Sequence, residues 1–334
     1  MNQNNVHPRR AVAIGGSTGA VPVLSKILAQ LPADFPAAVL AVIHVGSEGR
    51  NLLSQMFARD CPLPVMTAED GDEVRPGHVY VAPADHHLLV MEGRIRLGRG
   101  PRENLSRPAL DPLFRSVALE YGPAAVGIVL TGKLNDGAAG LEAIQRCGGV
   151  TIVQNPADSI APDMPLGALD ASDIGYRAAA DDMAMLLDSL MDMPIGPVAA
   201  APEDIRLEVD IALGRPCNSR TLEKIAIPAT LTCPACGGVL SEVKHPPLRF
   251  RCQVGHAYTA QSLQAEQDNA VDEAVRVALR IVEERATLTE RMAQDARKAG
   301  RTRSEESFRE RAGELRHHAE TLRNAAIGAM RRSQ

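Results

Sequence analysis

From Ala11 to about Met193, short apolar runs alternate with amphipathic stretches. Ala11 to Ile14, Ala38 to Val45, Val79 to Ala82, Val126 to Leu130 and Val150 to Val153 are rich in Val and Ile, as strands buried on both faces are. Between several of them lie segments of helical period: Val21 to Leu31, Leu52 to Arg59, Asp111 to Tyr121 and Ala138 to Cys147. Alternation of this kind implies right-handed βαβ units and a parallel sheet. Leu88 to Met91, then Glu92-Gly93, then Arg94 to Leu97 reads as a β-hairpin, so the sheet is expected to be mixed. The predicted fold class is α/β, a doubly wound mostly parallel sheet with a β-hairpin.

The pattern changes after Met193. Pro194 to Glu203 is rich in Pro and Ala and opens an expected linker over 194–230. A small Cys-containing module follows over 231–258. Apolar residues then recur at helical spacing, first at Val271, Val275, Ala278 and Val282, then at Phe308, Ala312, Leu315, Ala319, Leu322, Ala326 and Ala329. The second set steps by four and three, a coiled-coil-like seam. Gly300, with Thr302 and Glu305 in capping-box spacing, ends one helix and begins the next, which predicts a helical hairpin over 259–330. No proline stands beyond Pro247, consistent with that change of architecture.

Composition narrows the function classes. The 334 residues carry 36 Lys+Arg against 41 Asp+Glu, a formal net charge of −5, which argues against nucleic-acid binding. With 45% hydrophobic and 23% charged residues, the chain is a globular protein with ample core material. The longest apolar run is far short of the ~20 residues needed to cross a bilayer. Residues 1–10 are polar and are read as a disordered tail without signal-like character, so a cytoplasmic protein with no membrane insertion is expected. Six cysteines are too few for a disulfide scaffold in a chain of this length.

The first predicted strand runs into Gly15-Gly16-Ser17-Thr18-Gly19 and then at once into a helix. This is a G-x-S-x-G turn, which projects a serine from the carboxyl edge of a sheet and turns backbone N–H groups toward a developing oxyanion. A dinucleotide loop would need G-x-G-x-x-G and an acidic residue closing the second strand, and neither is present. The second strand instead ends at His44, and the strand Val126 to Leu130 opens into a loop carrying Asp136. Three βα loops thus offer a nucleophile, a base and a carboxylate at one edge. Each has a plainer alternative: the glycine-rich turn as an ordinary loop, His44 as a packed core residue, Asp136 as a helix cap. His78, His86 and His87 compete as bases but lie in or near turns away from that edge.

At this point the sequence resembles the catalytic domain of the chemotaxis protein-glutamate methylesterases, the CheB family, over 11–193. The resemblance is carried by Gly15 to Gly19, the strand ending in His44, and Ala68-Glu69-Asp70-Gly71-Asp72 with Pro76 to Pro83. It continues in Ser106-Arg107-Pro108 with Asp111 and Leu113 to Ser116, in Leu130-Thr131-Gly132 with Asp136-Gly137, and in Met164-Pro165. It implies a triad of Ser17, His44 and Asp136, with the backbone N–H of Thr18 and the loop at Lys133 as oxyanion donors. It also implies hydrolysis of γ-glutamyl methyl esters on methyl-accepting chemoreceptors, with glutamine deamidation as a second activity. Two departures stand out. Ala20 replaces a usual glycine, and Lys133-Leu134 replaces Met-Gly, where a leucine lacks the freedom of glycine at positive φ. Classical members also carry an N-terminal phosphoacceptor domain, which this sequence does not show, so regulation by phosphorylation is not expected. An inactive signalling scaffold on the same fold is the alternative reading.

Cys233-x2-Cys236 and Cys252-x3-His256 are separated by 15 residues, near zinc-ribbon spacing. Four ligands close a tetrahedral shell, so a structural zinc is expected, with no cofactor for catalysis. A pair of reduced surface thiols is the plain alternative. His245 is a weaker ligand candidate, and Cys61, Cys147 and Cys217 stand alone as packing thiols. The helical tail is nearly balanced in charge and is read as a solvated hairpin, with docking or homo-oligomerisation as its alternative role.

Overall fold

A computed structural model describes residues 9–44, 52–198 and 200–330, with side chains through residue 325. The expected disordered tail therefore lies almost wholly outside the described residues. The chain divides into two compact units, Met1–Leu263 and Gln264–Gln334.

The first unit is built on a seven-stranded sheet. In chain order its strands are β1 (Ala11–Gly16), β2 (Ala38–Ile43), β3 (Val65–Thr67), β4 (Val79–Val81), β7 (Ala125–Val129), β8 (Val150–Gln154) and β9 (Tyr176–Ala178). Their spatial order is β3-β4-β2-β1-β7-β8-β9, and every pairing is parallel. The chain works outward from β1 to one edge, returns to pair β7 on the other side of β1, and works outward again. The reversal between β1 and β7 is a topological switch point, where open α/β sheets form a crevice at their carboxyl ends.

Alternate residues of the central strands feed two cores, because a buried parallel strand turns successive side chains to opposite faces. Ala13, Leu40 and Val42 face α3 (Leu110–Tyr121), α4 (Ala138–Arg146) and α5 (Asp163–Ala171), meeting Leu113, Phe114, Leu141 and Met164. Val12, Ile14, Val39 and Ala41 face α1 (Ala20–Ala29), α2 (Leu53–Phe57) and α6 (Met183–Met191), meeting Leu24, Ile27, Phe57 and Leu187.

Two sequence expectations are corrected here. The hairpin of β5 (His87–Met91) and β6 (Arg94–Gly98) forms its own two-stranded sheet rather than making the main sheet mixed. Its turn residues Glu92 and Gly93 both have positive φ, which closes a tight hairpin, and the Val90 amide donates to Ser116 Oγ of α3. The pair is thus satisfied against a helix. The stretch expected as a linker instead holds α7 (Glu203–Leu213), α8 (Ser219–Ile225) and the start of β10 (Ala226–Thr232). Helix α7 buries Ile205, Val209 and Ile211, an apolar face that the flanking Pro and Ala masked.

β10 begins a second, antiparallel sheet, continued by β11 (Val239–Val243), β12 (Arg249–Cys252) and β13 (Ala257–Thr259). It joins the main domain through a buried charge network. Glu103, Arg115, Glu208, Arg249 and Arg251 are all nearly inaccessible. Arg251 reaches Glu208 at 2.8 Å and Glu103 at 3.0 Å, Arg115 pairs with both acids, and Arg249 pairs with Glu208. Burial alone would raise the Glu208 carboxyl, but the three guanidinium groups hold it well below the usual carboxylate range. Glu208→Ala would leave three buried arginines short of a counter-charge. It is expected to destabilise by about 3–5 kcal/mol, read as a lower urea midpoint at unchanged slope. A loss under about 1 kcal/mol would show that water relaxes into the site.

The second unit contains most of α9 (Ala260–Lys298) and all of α10 (Thr302–Met330). Gly300, at φ 69, stands in the break between them, but α10 begins at Thr302 itself, with the Glu305 amide donating to Arg301 O, so Thr302 does not serve as the expected cap. Buried positions are Ala286, Ala293 and Ala296 of α9 with Ala312, Leu315 and Ala319 of α10. Val271, one of the apolar positions that recur at helical spacing in α9, is 60% exposed. Among the described residues no helix is long and apolar enough to cross a membrane.

Candidate active site

Ser17, His44 and the loop 131–136 follow β1, β2 and β7, at and beside the switch point. Tight backbone approach makes the placement possible. The Ser17 amide donates to Thr131 O at 3.0 Å and the His44 amide to Gly16 O at 3.2 Å. A Cβ on Gly16 would lie 2.8 Å from Thr131 O, and one on Gly132 would lie 2.0 Å from Met164 Sδ and 3.0 Å from Ser17 Cβ. Gly132→Ala must therefore push the Ser17 turn or the buried Met164. It is expected to cost about 1–3 kcal/mol in stability and roughly 10²-fold in turnover, since a shift near 1 Å misaligns a reacting group. Unchanged turnover by the assay below would show that the loop yields without moving Ser17.

His44 and Asp136 meet at 2.7 Å, Nε2 to Oδ2. Asp136 is 1% exposed and surrounded by donors. Its Oδ2 also accepts from the Leu110 amide at 2.6 Å, and its Oδ1 from Asn104 Nδ2 at 2.9 Å and the Asp111 amide at 3.3 Å. Leu110 and Asp111 open α3, whose N-terminus favours an anion. Burial pushes this carboxyl up, but His44, the Leu110 amide and Asn104 outweigh it and hold it below its ordinary value. With Nε2 of His44 engaged by Asp136, Nδ1 is the ring nitrogen not used in that pair. Among the described residues the Ser17 hydroxyl and the backbone amides of Thr18 and Lys133 make no hydrogen bond.

The plainer alternatives can now be weighed. Asp136 does not cap α4. The amides of Gly137 and Gly140 donate instead to Asp111 Oδ1, at 3.0 Å and 2.7 Å. Burial, and next the charge of Asp136, push the Asp111 carboxyl up to about 7. His44 keeps 15% side-chain exposure at the sheet edge rather than packing as a core residue. Leu134 takes φ 62, the left-handed conformation its sequence disfavours, at a cost of order 1–2 kcal/mol.

The competing histidines point elsewhere. His78 Nδ1 contacts Pro76 O, His86 Nδ1 contacts Ala84 O, and buried His87 contacts Pro101 O through Nε2. Sequence reasoning missed two residues. Thr131 ties the site loops together: its hydroxyl lies 3.1 Å from both Thr18 O and Ala161 O, which share its single proton, and it accepts from the Ala161 amide. Asn104 bridges Asp136 and Asp111, donating to both from Nδ2. Thr131 stands in the Leu130-Thr131-Gly132 motif, but the motif assigns it no role, and Asn104, a lone polar residue in a loop, carries no spacing signal.

Away from this edge, Cys233, Cys236, Cys252 and His256 bring their ligand atoms within 4.8 Å of one another. Cys236 Sγ to Cys252 Sγ is 3.6 Å, Cys252 Sγ to His256 Nδ1 is 3.5 Å, and Cys233 Sγ to His256 Nδ1 is 3.8 Å. Tetrahedral bonds of about 2.0–2.3 Å set ligand atoms about 3.5–3.8 Å apart, so the donor set and spacing fit a zinc ion. His245 is not in the cluster and approaches Asp204. Cys147 is buried, whereas Cys61 and Cys217 are only partly so.

A histidine paired with a buried carboxylate, at the carboxyl edge of a doubly wound sheet where the turn carrying Ser17 also emerges, is an arrangement that serine hydrolases share. Residues 12–187 match the family model for CheB methylesterase, and the chain belongs to that family. It is 39% identical over 180 residues to protein-glutamate methylesterase/protein-glutamine glutaminase 4 of Myxococcus xanthus, covering 53% of this chain and 51% of that protein. It is 41% identical over 183 residues to the protein of the same name from Geobacter metallireducens, covering 54% and 53%. The crystal structure of the Thermotoga maritima CheB methylesterase catalytic domain matches with 31% identity and a TM-score of 0.52, covering 54% of this chain and 98% of that one. The chain spans about half the length of the Myxococcus and Geobacter relatives.

Proposed function

We propose that this protein is a protein-glutamate methylesterase acting on methyl-accepting chemoreceptors, with glutamine deamidation as a second activity. The observation that carries the reading is the His44–Asp136 pair, held at the same sheet edge that presents Ser17. Ser17 Oγ attacks the γ-carbonyl while His44 Nδ1 takes its proton and then returns it to the departing methanol. Asp136 accepts a hydrogen bond from Nε2–H, holds the tautomer and stabilises the imidazolium without taking the proton. The amides of Thr18 and Lys133 receive the oxyanion, and water then clears the acyl-enzyme through the same histidine. Amide substrates follow the same path with ammonia as the leaving group.

The Cys3His cluster is read as a structural zinc site in a zinc-ribbon-like module. Its four ligands leave no open position, so the ion would supply folding energy rather than Lewis-acid chemistry. Ion pairs of Glu283 with Arg323 and of Glu290 with Arg316 run in opposite sequence directions, which supports reading α9 and α10 as an antiparallel hairpin.

The test is methanol release from a receptor carrying γ-glutamyl methyl esters. Steady release by the full chain is expected. No release from a folded, metal-replete sample would refute the reading and favour the scaffold.

A further inference from the structure

The two strands of the small antiparallel sheet that flank the Cys252–His256 turn grip the segment that carries Asn104. Residues 102–104 run beside β13 as a partial extra strand: Glu103 bridges Ala257 in parallel, the Asn104 amide donates to Ala257 O at 2.9 Å, and the Ala257 amide donates to Arg102 O at 3.4 Å. The side chains are held too. Arg251 of β12 donates to Glu103 at 3.0 Å, and the Thr259 amide of β13 donates to Asn104 Oδ1 at 2.9 Å. Asn104 is 5% exposed, and its remaining capacity is spent on the two carboxylates, since Nδ2 donates to both Asp136 and Asp111. A second tie runs beside it, with Thr259 Oγ1 donating to Asn135 Oδ1 and Asn135 Nδ2 donating to Gln261 Oε1 at 2.7 Å.

The position of these contacts in sequence is the telling feature. Cys252 directly follows Arg251, and His256 directly precedes Ala257. The two ligands bracket the turn between β12 and β13, and their backbones are already tied, with the Cys252 amide donating to His256 O at 3.0 Å. An ion held by Cys252 and His256 fixes the spacing of the strands that hold Glu103 and Asn104.

We propose that Asn104 and the backbone of Thr259 form a positioning relay through which the Cys3His module sets the Asp136 carboxylate, so that turnover depends on an ion held by residues other than the reacting ones. Asn104 acts through Asp136 and touches no substrate. The inference rests on the triad and metal readings above.

The experiment uses the full chain, purified with its metal, then stripped by chelator and reloaded with Zn2+ alone. Metal content, methanol release and backbone hydrogen exchange are followed together. Stripping is expected to release one zinc per chain and to deprotect the amides of Asn104, Leu110 and Asp111. The amides of β1 and β7 are expected to stay protected. The kcat should fall roughly 10–10²-fold at nearly constant KM, and Zn2+ should restore both readouts. Asn104→Ala, with metal retained, should reproduce the fall in kcat and shift the low-field imidazole proton of His44.

Unchanged exchange at 104–111 after confirmed metal loss would overturn the relay. So would loss of protection throughout β1 and β7, which would make the metal merely structural, or a normal kcat in Asn104→Ala. Because exchange and metal content are read without substrate, the relay can stand or fall separately from the esterase reading. A chain that binds no zinc rejects the metal reading and the relay together.

Discussion

Ser17→Ala is expected to lower kcat for methyl-ester hydrolysis roughly 10⁵-fold or more, leaving only what the amides of Thr18 and Lys133 and substrate binding contribute. No covalent path remains once the hydroxyl is gone, because His44 has lost the nucleophile it activates. Stability should change by less than about 0.5 kcal/mol, since the hydroxyl makes no hydrogen bond among the described residues and the turn is held by the Ser17 amide instead. The contrast between lost turnover and intact fold is what separates a nucleophile from a structural residue. A fluorophosphonate probe should add its mass to the peptide containing Ser17 in the wild type and fail to do so in the variant. Turnover surviving in Ser17→Ala would refute the triad.

Asp136→Asn is expected to cost about 10⁴-fold in kcat, and the reason lies in the donor count around the carboxylate. His44 and Leu110 face one oxygen, and Asn104 and Asp111 the other. A carboxylate accepts from all four, whereas an amide must turn its NH2 toward one pair. Facing His44, it forces the imidazole to accept at Nε2, which puts the proton on Nδ1 and closes the base to Ser17. Facing Asn104, it sets donor against donor in a buried site and strains the loop between the two domains' contacts. The change also removes the charge that helps push Asp111 up to about 7, so Asp111 should titrate lower in the variant. That raised value has its own sign in stability. The folded chain keeps a proton that the unfolded chain releases, so the Asp111 contribution is lost as pH rises from about 4 toward 7. The depressed Asp136 acts in the opposite sense, its contribution lost as pH falls through the ordinary carboxylate range. A kcat for Asp136→Asn within about tenfold of wild type would show that His44 needs no acid partner.

Chemistry was legible wherever it obeyed a local rule. The G-x-S-x-G turn, a histidine closing β2 and the Cys-x2-Cys with Cys-x3-His pairs are short patterns, because strand ends and tight turns are short structures. Composition masked α7, whose buried face sits just beyond the proline-rich stretch of the expected linker. The hairpin was read correctly as β5 and β6, but not its partner, since pairing against α3 rather than the sheet is decided by distant residues.

By itself the sequence determined the strand-helix order, the burial of the central strands on both faces, and which serine, histidine, aspartate and Cys3His residues are the candidates for chemistry and metal binding. Only the tertiary structure decided which groups act together. Asp136 became a pair for His44 rather than a cap because Asp111, from another helix, satisfies the α4 amides. Asn104 reaches that pair because the cysteine-bearing sheet folds back onto residues 102–104. Both are contacts between segments far apart in the chain, set by packing and by the need of each buried polar group for a partner, and no window of sequence contains them.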